Sequence, residues 1–155
     1  MSVDVDIQRA APADSESILA LQRLAYESEA RLYNDWSIPP LTQTIDGLRE
    51  EFESAYFLKA LVEGNLVGSV RARLKKDTCE IGRLIVHPGL QRRGLGRRLM
   101  HEIERAFPGA RRFELFTGSR SEGNIRLYES LGYRRYALRV LSDNVTLVFM
   151  EKEKL

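Results

Sequence analysis

Cysteine is almost missing from this chain of 155 residues: Cys79 is the only one, so no disulfide can form within it. Only two histidines accompany it, and no Cys/His cluster exists that would hold zinc. Uninterrupted apolar runs are equally scarce, and none approaches the ~18–20 residues that a membrane span requires. The first ten residues contain Asp4 and Asp6 and no apolar run, which argues against a signal peptide there. Eleven glycines and five prolines are too few for collagenous or low-complexity sequence. These absences predict a cytoplasmic protein with no membrane partner and no metal. What is present, 43% hydrophobic and 30% charged residues, fits one globular domain over residues 1–155 with a single core.

Charge of one sign is also missing, but only on average. The net charge is +2, yet residues 1–82 carry nine Lys/Arg against fourteen Asp/Glu, and residues 83–139 carry thirteen Arg against five Glu. Either two faces meet partners of opposite sign, or the charges are scattered and solvated. A nucleic-acid surface is disfavoured, because the arginines lack the aromatic interleaving that base stacking needs.

Val3, Val5 and Ile7 alternate with polar residues as a short strand does. Asp14 or Ser15 caps a helix whose apolar stripe, Ile18, Leu21, Leu24 and Ala25, extends it to about Tyr33. Pro39-Pro40 cannot continue that helix, and Thr44 caps a second one ending near Phe52. Strands follow at 56–62 and 66–74 around the Glu63-Gly64-Asn65 turn, then at 79–86. Leu95, Leu99, Ile103 and Phe107 mark a helix stopped by Pro108-Gly109. A strand at 112–117, a helix at 123–131 and strands at 133–140 and 145–151 complete the order β-α-α-β-β-β-α-β-α-β-β. The predicted class is α/β (α+β): a mixed sheet of about seven strands with flanking helices.

The chemically informative stretch begins where the strand containing Leu84, Ile85 and Val86 gives way to a helix. His87-Pro88-Gly89 breaks the strand, and Gln91-Arg92-Arg93-Gly94-Leu95-Gly96-Arg97 opens the helix. A helix start exposes unpaired amides and the positive end of the backbone dipole, so anions settle there. Gly94 and Gly96 let the backbone come close to a phosphate, and four arginines surround the point. A Walker loop is excluded because no Lys-Ser/Thr follows the glycines. A dinucleotide fingerprint is excluded because Leu99 stands where its third glycine belongs.

Gln91-Arg92-Arg93-Gly94-Leu95-Gly96 resembles the pyrophosphate loop of the GNAT superfamily of acetyl-CoA-dependent N-acetyltransferases. Leu84-Ile85-Val86-His87-Pro88 is similar to the strand and turn before that loop. Asn124-Ile125-Arg126-Leu127-Tyr128-Glu129-Ser130-Leu131-Gly132-Tyr133 resembles the family's second signature. The resemblance implies acetyl-CoA as co-substrate. Leu84, Ile85 and Val86 would pair with pantetheine, and amides from Arg92 to Arg97 would hold the pyrophosphate. Asn124 would touch the cofactor arm, and Tyr128 would protonate the departing thiolate. One departure is that Ser121 stands seven residues before Tyr128, where many members have asparagine. Whether Ser121 or Asn124 makes the cofactor contact is open.

Direct transfer to an amine needs a group that removes the ammonium proton, because a free alkylamine is mostly protonated at neutral pH. A backbone amide near Val86 would serve the oxyanion. Glu80 is one base, since the histone-acetylating branch has a glutamate eleven residues before the loop glutamine, and simple alternation puts Glu80 on one side with Leu84 and Val86. An exposed strand-end carboxylate is the plainer reading. Glu29, on a helix end near Pro39-Pro40, is a second candidate, although a solvated helix face is its plainer reading, and Glu27 is a weaker third. His87 reads as a turn residue and Cys79 as a small strand residue. Tyr26, Tyr33 and Trp36 either line an acceptor pocket or pack, and Tyr128 is either the acid or a core tyrosine.

The expected activity is acetyl transfer to a primary amine, of a small molecule or a protein, in a ternary complex. The acidic segment on the acceptor side predicts a cationic amine. The alternative is a CoA-binding regulatory module without catalysis. Family members often pair through their C-terminal strands, and Val145-Thr146-Leu147-Val148-Phe149 is apolar enough for a homodimer.

Overall fold

The computed structural model describes residues 4–154. Seven strands form one mixed sheet: β1 (Asp6–Arg9), β2 (Tyr56–Val62), β3 (Asn65–Lys75), β4 (Thr78–Val86), β5 (Arg112–Gly118), β6 (Arg134–Val140) and β7 (Thr146–Glu153). Six helices accompany them: α1 (Ser15–Ala25), α2 (Glu27–Tyr33), α3 (Pro39–Thr42), α4 (Ile45–Glu51), α5 (Leu95–Arg105) and α6 (Glu122–Ser130). The strand order is β1-β2-β3-β4-β5-β7-β6. Only β4 and β5 are parallel neighbours; the other pairs are antiparallel. Among the described residues no helix is long and apolar enough to cross a membrane, and no cluster of three metal-ligating side chains exists.

The hydrophobic pattern divides the sheet between two helical layers. On one face Val70, Ala72, Cys79 and Ile81 pack with Leu99, Met100 and Ile103 of α5 and Ile125 of α6. The α5 stripe is buried at Leu95, Leu99, Met100 and Ile103, and each such side chain gains roughly 2 kcal/mol over exposure. On the other face Ile18, Leu19 and Leu48 of α1 and α4 cover Phe57. A third cluster joins Ala30 and Tyr33 of α2 to Ile38 and Val145.

Three boundaries depart from the sequence pattern. The first helix is two, broken at Tyr26 (φ −86°, ψ 0°), because Ala30 and Tyr33 turn toward Val145 instead of following the α1 stripe. Pro39-Pro40 opens α3, since a first-turn position needs no N–H donor. The first strand begins at Asp6 and runs to Arg9, and Val3 lies outside the described residues.

Two irregularities prepare the site. Strands β4 and β5 pair only where Thr78, Cys79 and Glu80 face Arg112, Phe113 and Glu114; beyond that they separate. Strand β4 also carries a bulge. Ser69 pairs with Ile85 and Arg71 with Gly82, so three residues of β4 span two of β3, with Arg83 at φ 51° inside the bulge. One extra residue reverses the alternation downstream. Gly82 shares a face with Arg71, which reaches α1 and α4, whereas Val86 pairs with Gly68, whose missing Cβ would lie 3.0 Å from Leu99 of α5.

Candidate active site

Where β4 and β5 part, two cavities open. The larger, about 520 Å³, runs along Leu84, Ile85 and Val86 to Gln91, Arg92, Gly94, Leu95, Gly96 and Arg97. The smaller, about 370 Å³, lies between β4, β5, α2 and the ends of β6 and β7. Tyr26, Glu29, Leu84 and Asn124 line both. The two spaces therefore meet at one carboxylate, one phenol and one amide.

The larger cavity has the chemistry of an anion site. The first α5 residues follow Gly94 at φ 81°, and no side chain caps them. A Cβ at Gly94 would meet nothing within 4 Å, so backbone conformation, not space, selects glycine there. At Gly96 a Cβ would reach Leu127 at 3.4 Å and Leu84 at 3.6 Å, an ordinary packing distance. The arginines divide. The Arg97 side chain donates to Ser130 Oγ at 2.7 Å and that of Arg98 to the Val5 carbonyl at 3.2 Å. Arg92 lines the cavity, whereas Arg93 does not. Gln91 turns back to the Val86 carbonyl at 3.4 Å. His87 accepts the Gly89 N–H at 3.0 Å, the hydrogen bond of a turn residue.

Glu29 sits at the end of a hydrogen-bonded chain. The Arg120 N–H donates to Tyr33 Oη at 3.0 Å, Tyr33 Oη lies 2.7 Å from Ser121 Oγ, and Ser121 Oγ donates to Glu29 Oε2 at 2.6 Å. Ser121 has one proton and spends it on the carboxylate, so Tyr33 is the donor to Ser121. Asn124 Nδ2 lies 3.5 Å from Glu29 Oε1 and 3.3 Å from Thr117 Oγ1. Gly118 makes this chain possible, because a Cβ there would fall 1.9 Å from Tyr33 Oη.

Tyr128 is buried, lines the smaller cavity, and makes no hydrogen bond through its hydroxyl among the described residues. Burial pushes its phenol well above the ordinary tyrosine range, with Tyr26 and Glu29 adding to the shift, so the group stays protonated near neutrality. Burial also raises the Tyr26 phenol, against the pull of Arg83 and with a further push from Glu29.

Glu80 is not brought to this place. It lines neither cavity and pairs with Arg73 at 2.8 Å, while its parallel neighbour Glu114 is held by Arg112 at 2.6 Å. The expectation that Glu80 shares a side with Leu84 and Val86 fails at the Arg83 bulge, which turns Val86 to the opposite face. Glu27 is likewise absent from both cavities and lies 3.9 Å from Arg31. Trp36 is exposed and outside them. Nor do the acids of residues 1–82 converge on the smaller cavity. Asp14 pairs with Lys59, Glu16 with Arg49 and Glu51 with Arg71, leaving Glu29 as the one carboxylate in its lining. Arg83 was missed; the signal was an arginine standing inside an otherwise apolar strand end.

The site is thus a mixed sheet split between its two parallel strands, with an uncapped helix start in the split. Residues 17–133 match the acetyltransferase (GNAT) family, and the chain belongs to it. A relative, the mycothiol acetyltransferase of Thermobispora bispora, is 36% identical over 104 residues, covering 66% of this chain and 32% of its own length. The chain spans about a third of the length of the curated relatives it matches. Among solved structures, the PaiA N-acetyltransferase of Thermoplasma acidophilum in complex with coenzyme A superposes with TM-score 0.79 at 16% identity, covering 97% of this chain and 99% of that one. The ribosomal-protein-S18-alanine N-acetyltransferase of Escherichia coli superposes with TM-score 0.78 at 18% identity, over 97% and 94%. These two likenesses are of fold.

Proposed function

We propose that this protein transfers the acetyl group of acetyl-CoA to a primary amine, with Glu29 as base and Tyr128 as acid. The observation that carries the proposal is the meeting of the two cavities at Glu29 and Asn124, one reaching an uncapped helix start and the other holding Tyr128. Acetyl-CoA supplies an acetyl thioester. The residues present fit it: the first amides of α5 with Gly94 and Arg92 suit a pyrophosphate, and Leu84, Ile85 and Val86 offer a strand edge that β5 leaves unpaired. Of the loop residues, Gln91 and Arg97 are proposed to border this ligand, and Arg93 to face solvent.

Glu29 takes one proton from the acceptor ammonium, directly or through water, and Ser121 and Asn124 hold the carboxylate in position. The freed nitrogen forms the new C–N bond as the C–S bond breaks. Tyr128 gives its proton to the leaving sulfur and regains one from the nitrogen, which sheds its second proton. Ser121 stays bound to Glu29 in this scheme, so Asn124 is the residue offered to the cofactor arm.

Acetyl-CoA should raise the melting temperature, and free CoA should appear only when an amine is added. Glu29→Gln and Tyr128→Phe should each lower kcat about 100-fold while acetyl-CoA affinity changes less than about twofold. Binding without CoA release across a broad amine panel would leave the CoA-binding regulatory module instead. Leu138 and Val140, 72% and 74% exposed on edge strand β6, support pairing of two copies there. Sedimentation of Leu138→Glu against the native chain tests that pairing.

A further inference from the structure

We infer that the acceptor is zwitterionic, an amino acid with an apolar side chain whose carboxylate is held by Arg83 while its amine faces Glu29. The inference rests on the acetyltransferase reading and names the substrate class of the same site. Arg83 lines the smaller cavity and not the one that reaches the α5 amides, so its partner belongs to the acceptor. Its Nε is buried and has no hydrogen-bond partner, and among the described residues no carboxylate lies within ion-pair distance of its guanidinium. A buried guanidinium N–H without an acceptor is costly, which makes it an unfilled half of an interaction.

The neighbouring charges sharpen this. Arg71 is near enough for Arg83 to weigh against its protonation, and Arg71 already holds Glu51 at 2.8 Å. Glu51 is thus taken by Arg71, and the Arg83 Nε–H is left for an acceptor from outside the chain. Glu29 and Arg83 both act on the Tyr26 phenol and both line the smaller cavity, so one space offers a carboxylate to an amine and a guanidinium to a carboxylate. Arg139, at the exposed side, adds positive charge and not negative. Most of the remaining wall, including Ile81, Leu115, Leu147 and Phe149, is apolar and suits an uncharged side chain. Arg83 sits in a bulge with φ 51°, a conformation unfavourable for its residue type, which fixes where the guanidinium starts from.

The test uses the native chain with acetyl-CoA and acceptors that differ only at the carboxyl group: phenylalanine, leucine and methionine against their amides and decarboxylated amines. The free acids should show kcat/KM about 100-fold higher, as expected for a desolvated charge pair. Arg83→Met should raise KM for the acids about 100-fold, spare kcat and acetyl-CoA affinity, and leave the amides unchanged; Arg83→Lys should recover part of the loss. Calorimetric titration of phenylalanine into the protein with CoA should show saturable binding that Arg83→Met abolishes. Amides or decarboxylated amines acetylated as well as the acids would overturn the inference and leave the acetyltransferase reading standing. Absence of CoA release from any amine, with acetyl-CoA bound, would overturn both.

Discussion

Arg71 and Arg83 stand on adjacent strands, β3 and β4, and the chain treats them oppositely. The Arg71 side chain is 6% exposed and surrounded: Gln22 and Gln43 each accept at 3.0 Å, and Glu51 accepts on two nitrogens. Arg83 is half-buried, set in a bulge, and left with an orphaned Nε. A buried charge that the chain itself satisfies is a structural element, and one that it leaves unsatisfied points to a ligand. The regular part of the sheet is consequently where stability is concentrated, and the irregular part is where chemistry is offered.

Exchanging each arginine for a neutral residue is the strongest way to break this contrast. Arg71→Met strands Glu51, Gln22 and Gln43 and should cost about 3 kcal/mol in denaturant unfolding. Arg83→Met should cost less than about 1 kcal/mol and act on acceptor KM instead. The reverse ranking would show that the bulge arginine is structural. Gly118→Ala should come next, losing about 2 kcal/mol as Tyr33 is displaced, together with kcat as the Ser121–Glu29 chain loosens. Gly94→Ala forces alanine to φ 81° with open space around it, so about 1 kcal/mol of strain and weaker acetyl-CoA binding are expected.

The smallest effect at neutral pH, growing steadily as pH rises, is a dependence on alkaline conditions. Burial raises the phenols of Tyr128 and Tyr133 and pushes the Cys79 thiol up to about 12. In the unfolded chain these groups release protons near their ordinary values, about 10 for tyrosine and 8.5 for cysteine, whereas the folded chain retains them. Stability is therefore complete below those values and falls as pH rises above about 9. Melting temperatures measured from pH 7 to about 11 check this, and Cys79 should resist thiol reagents in the native state until unfolding. A flat profile would mean that these groups ionise without hindrance.

Element order was readable because the signals are local and strong. Strand β2 coincides with its expected span, and the α5 stripe at Leu95, Leu99 and Ile103 is buried as its spacing predicts. The helix start at Gly94 was legible for the same reason. The break at Tyr26 was not, because residues on either side keep helical spacing and only the tertiary partner changes. The bulge at Arg83 was hidden too, since one inserted residue leaves composition and apolar content untouched while reversing every later side chain. That reversal removes one of the two reasons for Glu80 as a base, its shared strand side, and leaves only the family spacing. The charge split misled in a related way: net charge counts acids wherever they are, and most of those named here are tied to lysines or arginines that do not line the cavity. Ser121 was noticed as a departure, but its proton to Glu29 connects residues 92 positions apart, beyond any sequence spacing rule.

The meeting of β4 and β5 is a seam stitched over three residue pairs and then left open. Hydrogen bonding within the two half-sheets does not depend on the width of the gap past the last stitch. Slight rocking of one half against the other would therefore widen or narrow the slot between them without unravelling either, so that its girth is set by a hinge instead of by loop refolding.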